Sequence, residues 1–141
     1  LNKPWLEIEW IKKDIFDENL DFTPFDGAVM AYGLRNLADP LIGLEKMRSF
    51  LKPGGRAGVL DFNKLSRDSI GEWFQRNYLK KVVIPISARF ELEEHFIYLA
   101  ESLRKFPAGN IQKELAIKAG FLDAKYLEIA GGQMGILFLK N

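Results

Sequence analysis

The sequence predicts an α/β fold in which a mainly parallel sheet ends in an antiparallel hairpin. Strand-like and helix-like segments alternate along the 141 residues without an internal repeat, which is the pattern of a layered α/β sandwich. The last two strand-like runs, "LDAKYLEI" and "QMGILFLK", are separated by little more than a glycine pair and are expected to form a hairpin. A chain of this length that is 48% hydrophobic can bury a core, so we expect a single domain over residues 1–141.

Three strands are predicted ahead of the hairpin. They are "EIEWIKK" at residues 7–13, "DGAVMAY" at 26–32 and "RAGVLDF" at 56–62. The second run is apolar enough to be covered on both faces of the sheet. One helix separates the second run from the third, so the right-handed crossover rule makes these two strands parallel neighbours.

The helix between these strands has a defined start and end in the sequence. Asp39 is a good N-cap, and Pro40 suits the first helical position. Apolar residues then recur at three- and four-residue spacing until "KPGG", which is expected to stop the helix. These apolar residues are Leu41, Leu44, Met47 and Leu51.

Three more helices are expected before the hairpin. Two lie between residues 66 and 105 and are unusually aromatic; the first carries Ile70, Trp73 and Phe74, and the second carries Leu92, Phe96, Leu99 and Leu103. The third is "GNIQKELAIKAGF", for which Asn110 is the expected cap and Gly120 the expected left-handed stop. Its predicted apolar stripe is Ile111, Leu115 and Ala119.

The composition excludes several classes of function. A net charge of +1 gives no electrostatic case for nucleic-acid binding. The chain has no cysteine and one histidine, so disulfides, thiolate chemistry and a metal site are not expected. No apolar run approaches the ~20 residues of a membrane span. No signal peptide is visible, and because the chain opens with "LNKPW" rather than methionine, we expect a processed precursor or a fragment.

The segment "AYGLRNLADP" sets polar residues directly after a buried strand. In a parallel sheet, ligands bind beyond the carboxyl ends of the strands, which is where residues 32–36 are expected to lie. Arg35 and Asn36 would then stand at the mouth of a site. The alternative is structural: Arg35 pairs with a carboxylate such as Asp39, and Asn36 shapes a turn.

A family resemblance favours the functional interpretation. "FDGAVMAYGLRNLADP", "LKPGGR", "VLDFNK", "YLAESLRKFP", "AGF" and "GGQMG" together resemble the C-terminal part of the ubiquinone and menaquinone biosynthesis C-methyltransferases. "LKPGG" is widespread among class I methyltransferases, whereas "YGLRN" with "YLAES" is specific to the quinone family. "IEWIKKD", "NYLKKVVIPIS" and "GGQMG" are most similar to the demethylphylloquinone branch. The resemblance implies a Rossmann-like class I methyltransferase sandwich with S-adenosylmethionine as cofactor.

The resemblance also assigns roles to individual residues. It places the catalytic function on Arg35 and Asn36, which would stabilise a quinol oxyanion and orient a water as proton acceptor. It places cofactor binding on Asp14, Ile15 and Ala31, although Ala31 is equally well explained as a packed strand residue. Lys13 replaces the family's usual glycine, which leaves the path of this loop open.

The expected substrate is a prenylated naphthoquinol, of the demethylphylloquinone or demethylmenaquinone type, bound with the help of Tyr32 and Tyr98. The aromatic stretch from Trp73 to Phe106 is a candidate trench for its tail, although each aromatic residue alone is better explained by helix packing. His95 is a rival catalytic base, but a structural histidine at a core margin is the favoured interpretation.

The family's glycine-rich cofactor turn has no counterpart in the sequence, so a chain truncated at its N-terminus is expected. An inactive fragment that acts as an apolar-ligand or interaction module is therefore the alternative function. The strand at 26–32 would present an apolar edge suited to a homodimer, and a lipidic substrate implies peripheral membrane contact. We expect a plastid location if the protein is from a plant or alga, and otherwise a cytoplasmic or peripheral one.

Overall fold

The computed structural model describes residues 7–18, 20, 22–63, 77, 98 and 101–141, which contain a sheet and two longer helices. The strands are β1 (Phe25–Ala31), β2 (Leu51–Phe62), β3 (Asp123–Ile129) and β4 (Met134–Lys140). The longer helices are α1 (Pro40–Ser49) and α2 (Gly109–Lys118). Single 3-10 turns lie at Leu34–Asn36 and Ala130–Gly132, and residues 101–105 are helical.

The described sheet has the strand order β1-β2-β4-β3. β1 runs parallel to β2, with Val29 opposite Gly58, which confirms that these two strands are parallel neighbours. β4 runs antiparallel to both β2 and β3, with Leu137 opposite Val59 on one side and Tyr126 on the other. The predicted hairpin is therefore confirmed, but the described sheet is mixed rather than mainly parallel, with one parallel pair, β1 and β2, and two antiparallel pairings.

Helix α1 begins where the sequence indicates. The Asp39 side chain accepts a hydrogen bond from the Leu41 backbone N–H at 2.8 Å, and Pro40 occupies the first turn. Leu44 and Met47 are buried against the sheet, as their spacing predicts.

The prediction that "KPGG" ends this helix is wrong, because these residues lie in the next strand, β2. Helix α1 ends at Ser49, and residues 51–55 already belong to β2. The pairing shifts from Phe25–Leu51 to Gly27–Arg56, so these residues form an irregularity at the start of the strand. Gly54, at φ +78°, donates to the Asn141 carbonyl at 2.7 Å, which shows that this segment is held by the end of the chain rather than by the helix.

Helix α2 ends as predicted but starts differently. Gly120 has φ +94°, and the N–H groups of Gly120 and Phe121 donate to the carbonyls of Ile117 and Ala116, which completes a Schellman motif. The predicted Asn110 cap is wrong, because the N-cap is Ala108 and the helix begins at Gly109. The buried stripe is Gly109, Gln112 and Ala116 rather than a stripe that includes Ile111, because the Tyr126 ring packs against Gly109.

The core lies on one face of the sheet. Val59 and Leu137 project from that face and pack with Leu44, Met47 and Ala116 of the two helices. The other face is open in the described part of the chain, where Val29 is 85% exposed. In the described part of the chain this strand is therefore exposed on one face, where the sequence predicts cover on both.

Two other predicted segments have different outcomes. Residues 7–13 form no strand, and Trp10 within them is 88% exposed, because the described sheet offers this segment no neighbouring strand. The two predicted aromatic helices lie mostly outside the described residues, as do Trp73, Phe74, His95 and Phe96. Within the described chain, no helix combines the length and the apolar character needed to cross a membrane.

Candidate active site

The segment that follows β1 is fixed to the sheet before it reaches the candidate residues. The Tyr32 N–H donates to the Leu60 carbonyl at 2.8 Å, which continues the ladder one residue past the strand. Tyr32 itself has φ +55°, a region that non-glycine residues rarely occupy and that recurs at functional sites. Leu34 is fully buried and anchors the 3-10 turn. Arg35 and Asn36 are therefore delivered rigidly at the carboxyl end of the parallel pair.

Arg35 forms a buried ion pair with Asp61, near the end of β2. Its Nε lies 3.1 Å from Asp61 Oδ1, and its backbone N–H donates to Oδ2 at 3.1 Å. The two side chains are 11% and 3% exposed. Within the described structure the Nε–H makes no directed hydrogen bond, so the side-chain contact is electrostatic in character. The expected alternative partner, Asp39, is instead the cap of α1.

The other end of the guanidinium is held by neutral oxygens. Arg35 Nη1 donates to Asn36 Oδ1 at 3.1 Å and to Ser102 Oγ at 2.8 Å. The guanidinium carbon also lies 5.7 Å from the centre of the Phe62 ring, within the range of a cation–π contact. Contacts from three elements therefore determine the orientation of this cation.

The Asn36 side chain hydrogen-bonds both to the backbone of the turn and to two neighbouring side chains. Its Nδ2 donates to the Tyr32 carbonyl at 2.9 Å, which closes the turn, as the structural alternative predicts. Its Oδ1 accepts from the Tyr98 hydroxyl at 3.3 Å as well as from Arg35. The amide thus links the turn, the arginine and Tyr98.

Burial and hydrogen bonding oppose each other at Asp61. Burial raises the pKa of this carboxyl above its ordinary value, because the charged form loses solvation. The backbone N–H groups of Arg35 and Phe62 and the Arg35 charge act in the opposite direction. The carboxylate is therefore poorly solvated and depends on Arg35 for compensation.

Arg35 and Asn36 line a cavity of about 310 Å³. This volume lies at the small end of the range of ligand pockets, about 300–1,000 Å³. Its wall combines hydrophobic and polar side chains, which suits a flat apolar molecule with polar edges. The remaining wall residues are Leu37, Ala38, Pro40, Tyr98, Glu101, Ser102, Lys105, Phe106 and Pro107.

The other predicted site residues lie outside this wall. The Tyr32 ring is exposed and packs against Phe62, with centroids 5.3 Å apart. Asp14 is exposed in a coil, where its Oδ1 accepts from the Phe16 N–H at 3.0 Å, and Ile15 follows it. Ala31 is exposed at the end of β1. The structure therefore brings Arg35, Asn36 and Tyr98 to one cavity, and it leaves the expected cofactor residues outside that cavity.

The sequence interpretation missed the partners that hold Arg35. Asp61 carried a usable signal, because a charged residue occupies an inward position of the apolar run "VLDF". Ser102, in "YLAES", has no comparable signal, since a serine in a helix is unremarkable without the fold.

A second buried polar cluster lies beyond Asp61. Asn63 is buried; it accepts from the Tyr126 hydroxyl at 3.0 Å and donates to Glu128 and to the Gly132 carbonyl. Burial, followed by the Glu128 charge, raises the pKa of Tyr126 to about 12. This cluster fastens the hairpin to the end of β2. No group of acidic or histidine side chains in the described part of the chain is arranged to hold a metal ion.

Comparisons with known sequences agree with this architecture. The chain matches the model of the ubiE/COQ5 methyltransferase family over residues 2–139. A 2-phytyl-1,4-naphtoquinone methyltransferase from Trichormus variabilis is 36% identical over 138 residues, covering 98% of this chain and 60% of the relative. The chloroplastic 2-phytyl-1,4-beta-naphthoquinone methyltransferase of Arabidopsis thaliana is 40% identical over 130 residues, covering 92% of this chain and 49% of the relative. The chain thus spans about half to three fifths of the length of these curated relatives.

Solved structures share the fold. A SAM-dependent methyltransferase from Thermotoga maritima superposes with a TM-score of 0.59 at 18% identity, covering 92% of this chain and 62% of that one. A second, from Aquifex aeolicus, gives 0.58 at 16% identity, covering 94% and 54%. Identities this low show the fold alone, and that fold is the predicted Rossmann-like methyltransferase sandwich. Since the family model spans nearly the whole sequence, the chain belongs to the ubiE/COQ5 methyltransferase family.

Proposed function

We propose that the protein supplies the acceptor side of the active site of an S-adenosylmethionine-dependent C-methyltransferase acting on a prenylated naphthoquinol. The observation that carries the proposal is the buried Arg35 guanidinium at the wall of the 310 Å³ cavity, beside Asn36. The names of the Trichormus variabilis and Arabidopsis thaliana relatives support the demethylphylloquinone type of substrate.

The chemistry requires a carbon nucleophile. Loss of a proton from a quinol hydroxyl places negative charge on oxygen and, by conjugation, on the unsubstituted ring carbon. A fixed cation at the cavity wall favours that charge, and an electrostatic contribution of this kind is typically the largest in such sites. A guanidinium offers N–H donors and no acceptor, so a water beside Asn36 is a better proton acceptor than Arg35.

The cavity wall suits the two parts of the substrate's ring system. Leu37, Pro40 and Phe106 offer apolar surface for the rings, while Arg35 and Asn36 offer polar contacts for the ring oxygens. Tyr98 lies at the same wall, and its hydroxyl already contacts Asn36. An in-line approach to the methyl donor then follows from positioning rather than from new covalent chemistry.

The described residues fit part of the cofactor. When bound, S-adenosylmethionine supplies an electrophilic methyl group on a sulfonium. Asp14 is exposed and carries a carboxylate suited to the adenine amino group, with Ile15 next to it. Ala31 is small and exposed at the carboxyl end of β1, which allows a ligand to lie against the backbone there. These three residues would hold the adenosine side, away from the cavity that Arg35 lines.

A phytyl or polyprenyl substrate resides in membranes, so the reaction would take place at a membrane surface. The chloroplastic name of the Arabidopsis thaliana relative supports a plastid location if this chain comes from a plant or alga.

Methyl transfer to reduced 2-phytyl-1,4-naphthoquinone tests the proposal. The chain should be assayed alone and as a chimera preceded by the part of the Trichormus variabilis relative that it does not match. We expect the singly methylated product from the reduced quinone and none from the oxidised quinone, which lacks the nucleophilic carbon. A chimera that binds S-adenosylhomocysteine and methylates no reduced naphthoquinone would overturn the proposal. Quinol binding without binding of S-adenosylhomocysteine would instead indicate an apolar-ligand module.

A further inference from the structure

Asp61 places a carboxylate in a buried environment, which disfavours charge. It is 3% exposed, on the core face of β2, opposite Gly135 of β4. A carboxylate buried this deeply must be paired and hydrogen-bonded to be tolerated. Its described partners are the Phe62 backbone N–H at 2.8 Å and two groups of one residue, the backbone N–H and Nε of Arg35.

The same arginine is held from the opposite side by Ser102. The Nη1–Oγ distance is 2.8 Å, and Ser102 is itself buried in the helical segment 101–105. The Phe62 ring adds a contact with the guanidinium carbon at 5.7 Å. The end of β2 and a helix on the far wall of the cavity therefore hold one guanidinium between them.

We propose that Asp61 and Ser102 are positioning residues that hold Arg35 in a single orientation at the cavity wall, where the substrate oxyanion forms. The catalytic benefit of this orientation rests on the proposed function, whereas the fixed orientation of Arg35 itself does not. A planar donor helps a developing oxyanion only when it is aimed before the charge appears. A displacement of about 1 Å in such a group can cost about a hundredfold in rate.

Asp61 and Ser102 form a clamp on the Arg35 guanidinium. Asp61→Asn and Ser102→Ala test its two sides. The first keeps the shape of the side chain and removes its charge; the second removes one of the two oxygens that accept from Nη1 and leaves the other, Asn36 Oδ1. Asp39→Asn is the matched control, because it removes a carboxylate four residues from Arg35 while asparagine remains an equally good helix cap. Asp14 and Ala31 lie outside the cavity wall. All three variants are at other positions and leave these expected cofactor residues unchanged.

Two measurements separate the clamp from the proposed function. The first is hydrogen exchange of the Arg35 Nε–H, followed by NMR in this chain. We expect slow exchange in the wild type and in Asp39→Asn, and exchange faster by about tenfold or more in Asp61→Asn, as expected for the loss of one charged contact. The second is steady-state methyl transfer in the chimera. We expect kcat to fall about a hundredfold in Asp61→Asn and about tenfold in Ser102→Ala, with KM for S-adenosylmethionine within twofold of wild type.

The outcomes are distinct. Unchanged Nε–H exchange in Asp61→Asn, or an unchanged kcat in an active chimera, overturns the positioning role. If Asp61→Asn does not fold, Ser102→Ala decides, by kcat in an active chimera and by exchange of the Arg35 protons that Ser102 contacts, those on Nη1: unchanged values overturn the positioning role. If the wild-type chimera methylates no naphthoquinol, the proposed function fails, and the exchange rates alone then decide whether the clamp orients Arg35.

Discussion

Gly135→Ala is the substitution for which the structure gives the clearest cost. The Tyr126 ring lies directly over Gly135, so a Cβ there would come within 2.8 Å of Tyr126 Cε2 and closer still to the hydroxyl. The ring cannot retreat, because on another side it packs against Gly109 of α2 with the same closeness. Overpacking a well-filled site costs about 1–3 kcal/mol. Displacing the ring also breaks the hydrogen bond to buried Asn63, which adds roughly 1 kcal/mol.

We therefore expect Gly135→Ala to lower the free energy of unfolding by about 2–4 kcal/mol, measured by urea titration followed by circular dichroism. Gly58→Ala is the matched control, since it is also a strand glycine and a Cβ there meets no atom of the described residues within 4 Å. That control should be neutral or stabilising by up to about 1 kcal/mol. Equal effects of the two substitutions would refute the reasoning, as would an undiminished cost of Gly135→Ala in a Tyr126→Ala background.

Two further predictions concern polar groups. Asp39→Ala should destabilise the protein by about 1 kcal/mol in the same titration, and Asp39→Asn by much less, because only alanine removes the acceptor for the Leu41 N–H; equal losses would contradict the capping role. Tyr126 has a folded-state pKa of about 12 against an ordinary 10.0, so its contribution is fully present below pH 10 and is lost as pH rises from 10 towards 12. The stability advantage of wild type over Tyr126→Phe should shrink across that range, and a constant difference would contradict the assigned pKa.

The parts of the fold that sequence predicts well are those fixed by local chemistry. Asp39 and Pro40 start α1 because a capping oxygen and a preset φ act within a few residues. Gly120 ends α2 because the left-handed conformation excludes most other residues. The hairpin follows from two strand-like runs with a glycine pair between them, and β3 and β4 pair antiparallel as expected.

The errors arise where distant residues decide the outcome. The start of β2 is set by hydrogen bonds to Asn141, some ninety residues away, so "KPGG" could not be assigned locally. The Tyr126 ring determines which face of α2 is buried. It packs against residue 109, where glycine leaves room for it, while the apolar residue at 111 is exposed.

The candidate site shows the same division. The position of Arg35 and Asn36 at the end of a strand follows from topology, and the structure places both at a cavity wall. The partner of Arg35 does not follow from spacing, because Asp39 is nearer in sequence while Asp61 is nearer in space. Ser102 comes from a helix whose placement only the folded chain determines.

The central claim is that the cavity beside Arg35 receives the quinol ring. A crystal structure of the protein with reduced 2-phytyl-1,4-naphthoquinone tests it most directly. We predict a ring oxygen within hydrogen-bonding distance, about 3 Å, of Arg35 or Asn36. A ring bound elsewhere on the protein, with no atom of it in this cavity, would contradict the account.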